Sequence, residues 1–123
     1  HRLPDIIAAI ESALQHELEA ENERVHVFTH VSHVYPDGAS IYTTYLFRTQ
    51  TDPDLTLEYW GRLKGAASRA IAAGGGTISH QHGVGTDHKP YLLAEKGQLG
   101  ISAIEDLFKR FDPSGLMNPE KLV

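Results

Sequence analysis

Apolar residues recur every three to four positions at the start of the chain. Ile7, Ile10, Leu14 and Leu18 share one helical stripe, while Glu11, Gln15 and Glu17 fall off it. Pro4 and Asp5 suit a first helical turn, so a first helix is predicted over residues 4–22. From Val25 to Val34 the period drops to two. Val25, Val27, Thr29, Val31 and His33 alternate with His26, Phe28, His30 and Ser32, which predicts a strand with His33 facing away from His26 and His30. Tyr35-Pro36-Asp37-Gly38 predicts a turn, with Pro fixing φ and Gly accepting a positive φ. Residues 41–48 carry Tyr42, Thr43, Thr44, Tyr45 and Phe47 and predict a second strand, antiparallel to the first. Asp52 and Pro53 form a helix entry, and Trp60, Leu63, Ala67, Ala70 and Ile71 give the stripe that the helix buries. The glycines from Gly74 end it. Residues 77–81 predict a short third strand, followed by a glycine-containing loop and a helical stretch near residues 92–96. A last helix carries the stripe Ile101, Ile104, Leu107, Phe108 and Phe111, with Lys109 and Arg110 at its negative end. Asp112-Pro113 stops that helix, and a turn-rich arm follows.

The order helix, strand, strand, helix, strand, helix predicts an α+β fold, with an antiparallel sheet and helices packed on one face. A ferredoxin-like cap domain lacking its first strand meets that description. Composition narrows the class. A chain of 123 residues is one small domain, and 41% hydrophobic with 22% charged residues fits a globular protein. A net charge of −5 argues against nucleic acid and acidic membrane surfaces as partners. The absence of cysteine excludes disulfides and thiolate metal sites. No apolar run approaches the roughly 20 residues of a membrane span.

The stretch Gly74-Gly75-Gly76-Thr77-Ile78-Ser79-His80-Gln81-His82-Gly83-Val84-Gly85 holds the candidate chemistry. Strand alternation places Ile78, His80 and His82 on one side. Two imidazoles on one face can relay protons, bind anions or ligate a metal. The competing reading packs one against the sheet and leaves the other to cap the loop. Gly83 and Gly85 permit close approach of bare backbone to a flat ligand. Tyr42, opposite in direction to Ile41, Thr43 and Tyr45, is a candidate acid or base beside such histidines, or else an ordinary amphipathic strand tyrosine. His26, His30 and His33 invite a metal reading, but the strands offer no Asp or Glu to complete a site, so no metal is expected. The triple glycine follows a helix and precedes a strand, the reverse of a phosphate loop. Lys89, Lys96, Lys109 and Arg110 read as solvated surface.

Four segments stand in sequence: Thr29-His30-Val31-Ser32-His33-Val34-Tyr35, Ala39-Ser40-Ile41-Tyr42, the Gly75 to Gly85 run, and Asp112-Pro113-Ser114-Gly115-Leu116-Met117-Asn118-Pro119. Together they resemble the C-terminal half of the FAD-linked oxidase family, the vanillyl-alcohol-oxidase type of flavoprotein. The resemblance implies FAD as the cofactor, held mainly by an N-terminal module absent from residues 1–123. It implies that this segment is a C-terminal substrate or cap domain, inactive alone. Tyr42, His80 and His82 would be catalytic, and Gly83, Val84, Gly85 and Asn118 would lie against the cofactor.

Two branches of the family are relevant. The branch containing alkyldihydroxyacetonephosphate synthase exchanges acyl for alkyl in ether-lipid synthesis, without net redox of its flavin. Its site carries a tyrosine and a Ser-His-His-His-Gly-Val-Gly run, which Tyr42, His80 and His82 match, with Gln81 in place of the middle histidine. The branch of D-lactate and glycolate dehydrogenases includes members with a metal held by two hairpin histidines and a glutamate. His30 matches the first histidine there, whereas Tyr42 and Gln81 stand at the other two positions. An amide and a phenol are poor substitutes at a divalent cation, so the synthase branch fits better. Implied partners are the FAD-binding domain of the same protein and a small-molecule or lipid-phosphate substrate, with no nucleic acid; a homodimer stays open. The implied location is cytoplasmic, including the periphery of a membrane. A third reading is a free-standing ligand-binding module without catalysis.

Overall fold

The structure, a computed structural model, describes residues 2–123. Its elements are α1 (Leu3–His16), β1 (His26–Tyr35), β2 (Gly38–Leu46), α2 (Pro53–Ala73) and α3 (Gly85–Phe111). They fall into two compact units, His1–Gly74 and Gly75–Val123. The fold class is the expected α+β, with a two-stranded antiparallel sheet.

In the first unit the helical stripes meet. Ile10, Leu14 and Leu18 pack with Val25, Tyr59 and Leu63, and Val27, Ile41, Tyr45 and Phe47 close the core from the sheet side. The two helices therefore cover one face of the hairpin, as the apolar periods require. The α2 stripe is the expected one at Leu63, Ala67, Ala70 and Ile71 and differs at Trp60. Tyr59 is buried, while Trp60 is exposed with the Lys64 ammonium 5.7 Å from its ring centroid. Counting back from Leu63 by three or by four is equally helical. The spacing Leu55, Tyr59, Leu63 is the one used. Gly74 closes α2 against α1. A Cβ there would stand 2.8 Å from the Ile6 Cγ1 atom, so the small residue permits the contact.

The first helix ends at His16 instead of reaching residue 22. Glu17, Glu19, Glu21 and Glu23 crowd its negative end, where acidic side chains oppose the peptide dipoles. The chain tightens into a single 3-10 turn over Glu19–Glu21 and leaves it through Asn22 at φ 56. Arg62 of α2 answers the acidic cluster. Its Nη2 donates to the Glu17 carbonyl at 2.7 Å, its Nε to the Glu17 carboxylate at 3.3 Å and its Nη1 to Glu21. One guanidinium thus satisfies a terminal carbonyl of α1 and neutralises two carboxylates. The hydrogen bond from Arg62 holds the Glu21 carboxyl below its usual range, against the opposing effect of burial.

The hairpin turns at Pro36-Asp37. Gly38 is already in register with Tyr35 and does not take the positive φ expected of it. The second unit departs further from expectation. Residues 77–84 form no strand. Gln81, Gly83 and Gly85 have φ of 66, 74 and 64°, with Val84 at −87° between the last two. An extended strand needs every φ negative, so this run cannot be one. Helix α3 starts at Gly85, earlier than predicted, carries Pro90 inside its first turns and is interrupted at Gly97 (φ 65, ψ 171). That break separates the two helical stretches read from the sequence. Of the final stripe, Leu107, Phe108 and Phe111 are exposed. No helix among the described residues is long and apolar enough to cross a membrane.

Leu63 is wholly buried at the centre of the first unit. Leu63→Ala is expected to lower unfolding free energy by about 2–5 kcal/mol in urea titration. For the Arg62 hub the sign follows from Glu21. A carboxyl with its pKa lowered by folding contributes stability above its unfolded value and loses it as pH falls through its folded value. The stability deficit of Arg62→Ala against wild type is therefore expected to be larger at about pH 7 than at about pH 3. Urea melts at both values measure it, and a deficit independent of pH contradicts the ionic account.

Candidate functional site

One candidate surface is the open face of the hairpin. Thr43, Ile41 and Tyr45 turn toward the core side, and Tyr42 stands on the other side, 51% exposed. Its direct partner across the strands is His30, and the two rings stack with centroids 5.4 Å apart. A bulge at Ser32 shifts the pairing beyond it. Val31 pairs with Ile41, yet His33 pairs with Ser40, so one residue of β1 has no partner. Ser40 shares the face of Tyr42, and directly opposed residues share a face. His33 therefore joins His30 and Tyr42 instead of pointing away from them. Its Nδ1 lies 3.2 Å from the Ser40 hydroxyl, and its ring stacks near Tyr35 at 6.3 Å. The result is a row of imidazole and phenol rings on an uncovered sheet face, able to stack on a flat group and to exchange protons with it. Among the described residues no three His, Asp or Glu side chains converge as a metal set.

The second unit builds a groove of about 690 Å³ at the start of α3. His82, Gly83, Val84, Gly85 and Asn118 all line it. His80, half-buried, does not. The left-handed Gln81 between the two histidines ends the strand alternation that would have kept them on one side. Tyr42 belongs to the other unit.

Local hydrogen bonds hold the loop. The Ile78 amide donates to Glu95 Oε2 at 3.1 Å, and the Ser79 hydroxyl donates to the Gly83 carbonyl at 2.7 Å. Burial raises the Glu95 pKa, but the hydrogen bonds from Lys96 and Ile78 outweigh it and leave the carboxyl below its usual range. Lys96, expected at the solvated surface, thus has a defined partner at 2.7 Å. Asn118 arrives by a different device. Below α3, the Asp112 carboxylate accepts from the amides of Leu116 and Met117, and its carbonyl accepts from Gly115. This fold-back brings the terminal arm to the groove, with Asn118 at φ 49. A second trough of about 920 Å³ adjoins it, lined by Leu107, Phe111, Pro113, Met117 and Val123, and shares Phe108 and Asn118.

Five residues of the groove were not singled out from sequence: Thr86, Asp87, His88, Lys121 and Leu122. His88 Nδ1 lies 3.0 Å from the Val84 carbonyl, which can only accept, so that nitrogen carries the proton. The i,i+4 spacing from Val84 was the available signal, hidden because the glycines point to a loop over this stretch.

The chemistry of the groove is that of backbone donors and side-chain nitrogens. The first amides of α3 have no intrahelical partners, and the helix end carries partial positive charge. His82, His88 and Lys121 add donors, while Asp87 adds a negative group. Gly83 and Gly85 have open space where a Cβ would stand, leaving bare backbone accessible to a flat, polar-edged group. These residues fit the edge of a flavin.

Comparison with known proteins gives the family. The family described as FAD linked oxidases, C-terminal domain, matches residues 1–122. Alkyldihydroxyacetonephosphate synthase of Trypanosoma brucei brucei is 30% identical over 108 residues, 87% of this chain and 17% of the relative. The enzyme of that name from Caenorhabditis elegans is 33% identical over 93 residues, 76% of this chain and 15% of the relative. Glycolate oxidase subunit GlcD of Bacillus subtilis (strain 168) is 44% identical over 48 residues, 39% of this chain and 10% of the relative. The chain spans less than a fifth of the length of each of these relatives. With the family profile covering it almost from end to end, the chain belongs to the FAD-linked oxidases, as their C-terminal domain.

Proposed function

We propose that this domain covers the substrate side of an FAD-dependent enzyme of the alkyldihydroxyacetonephosphate synthase type. The observation that carries the reading is the assembly of His82, Gly83, Val84, Gly85 and Asn118 on one groove. The breadth of the likeness supports the choice of branch. The two synthases align over 87% and 76% of this chain, the glycolate oxidase subunit over 39%.

On this reading the backbone of Gly83, Val84 and Gly85 and the Asn118 amide hold the flavin edge, and an FAD-binding domain of the same protein holds the rest. FAD, when bound, supplies a reversible electron sink beside the substrate. His82 positions the substrate through a carbonyl or phosphate oxygen and moves a proton there. His80, on the same loop, is a second imidazole for proton transfer. Tyr42 serves as acid or base at the carbon next to the substrate carbonyl, oriented by its stack with His30. The substrate is a small molecule or a lipid phosphate, reached in the cytoplasm or at a membrane surface. The 44% identity to a glycolate oxidase subunit favours a second reading, oxidation of a 2-hydroxy acid.

The experiment uses a longer polypeptide that retains flavin. Acyl-dihydroxyacetone phosphate plus a fatty alcohol is expected to give the ether product with no net bleaching of flavin absorbance. Anaerobic bleaching by D-lactate or glycolate, without ether formation, selects the second reading. In the same protein Tyr42→Phe is expected to lower kcat about 100-fold or more, and a loss under about threefold removes Tyr42 from the chemistry.

Gly83 tests the groove itself. Its surroundings are open, so a Cβ costs only through the φ of +74°. Gly83→Ala is expected to destabilise the local loop by about 1–2 kcal/mol without steric rearrangement. Amide exchange across residues 81–85 reads this out, and unchanged exchange contradicts the left-handed geometry.

A further inference from the structure

A side-chain hydrogen bond ties the loop that carries both candidate histidines to α3. Glu95 sits on α3, 17 residues from Ile78, and its Oε2 accepts the Ile78 amide at 3.1 Å. Ile78 is buried at 7% exposure, two residues ahead of His80. Glu95 is itself only 18% exposed at its side chain, and its other oxygen takes the Lys96 ammonium at 2.7 Å. The Ser79 hydroxyl reaches across the histidines to the Gly83 carbonyl. Between these ties the backbone passes through left-handed Gln81, a conformation that a residue with a Cβ avoids unless its surroundings impose it.

We propose that Glu95 is the positioning residue of the His80–His82 loop. Its carboxylate holds the loop's entry by accepting the Ile78 amide, and this lets the strained turn at Gln81 persist and sets where both imidazoles stand. The assignment rests on the proposed roles of His80 and His82 for its functional meaning, and on the hydrogen bond alone for its physical content. A half-buried amide left without its acceptor loses a charge-assisted bond and must find water or move. The carbonyl oxygen of a glutamine can still accept that amide. The ion pair with Lys96, half exposed, is secondary because solvent screens such pairs.

Amide hydrogen exchange and histidine ring NMR on the 123-residue chain test this without any flavin readout. Glu95→Ala is expected to speed exchange of the Ile78 amide about tenfold to a hundredfold, the range for losing a hydrogen bond to a charged group. It should also shift the His80 and His82 ring resonances while leaving the Leu107 and Phe108 amides unchanged. Glu95→Gln is expected to restore exchange to within about threefold of wild type. If Glu95→Ala does not fold, Glu95→Asp replaces it, keeping the charge and withdrawing the acceptor by one methylene. Ile78 exchange within about twofold of wild type in the Ala or Asp variant overturns the proposal, as does a Gln variant no better protected than either. Failure of the flavin assays alone would instead count against the proposed function, since no arm of this experiment contains flavin.

Discussion

The alternation of backbone hand from Gln81 to Gly85 is the constraint on which the second unit depends. Gln81, Gly83 and Gly85 take positive φ, and Val84 between the two glycines does not. That one pattern has three consequences. No strand can form, so no sheet fixes the segment and side-chain ties must do so. His80 and His82 lose the common face that extended backbone would give them. The chain also enters α3 at Gly85 with Val84 as its cap residue and no side chain capping the first amides. Those amides stay available at the groove, where a capping Ser or Asp would have occupied one. Two of the three positions are glycines, for which positive φ is free. The third, Gln81, carries a cost of roughly 1–2 kcal/mol that a glycine would not, and packing around Ile78 and Glu95 opposes it.

The first unit solves a different problem. Its sheet has two strands, which alone are marginal in water, so one face must be covered by helices. Helices α1 and α2 do that with Leu14, Leu18 and Leu63 at the centre. Joining them brings the acidic end of α1 against α2, and Arg62 makes that junction tolerable by serving carbonyl and carboxylates at once. With all of the helical cover on one side, the opposite face keeps its rings. Phe28, Tyr35 and Tyr42 are exposed there beside His30 and His33. Burying them would cost the imidazoles their hydration, so placing Val27 and Ile41 on one face and His30 and His33 on the other favours the side that is covered.

How much of this could be read from sequence varied by residue, for physical reasons. The hairpin was legible because β-branched and aromatic residues alternate around Pro36-Asp37. Helix α2 was legible because Asp52-Pro53 is a strong entry, and the Asp52 carboxylate does accept the Asp54 amide at 2.9 Å. The end of α1 was not, since the apolar stripe continues through Leu18 and only the local charge of four glutamates argues against it. The third strand failed because Thr77, Ile78 and Ser79 look extended by type, while the decisive φ values belong to residues whose side chains say little about them. Gly83 and Gly85 announce freedom without announcing its sign. Of the site, His82 with Gly83, Val84, Gly85 and Asn118 was named in advance by likeness to a family. Their convergence depends on Asp112 folding the terminal arm, which no spacing rule conveys.

Two single-residue events determine where the imidazoles stand. On β1 the unpaired Ser32 advances the register by one, which carries His33 onto the face of His30 and Tyr42. In the loop, one left-handed residue between His80 and His82 leaves only the latter on the groove. Both are breaks in a period of two, and a break of that kind inverts every side-chain direction beyond it. Strict alternation would have placed His33 away from the phenol and paired His80 with His82. The observed backbone does the reverse in each case. Under the proposed function, imidazole placement is therefore more sensitive to an inserted or deleted residue near Ser32 or Gln81 than to most side-chain changes on the same elements, because only the former redirect the side chains that follow.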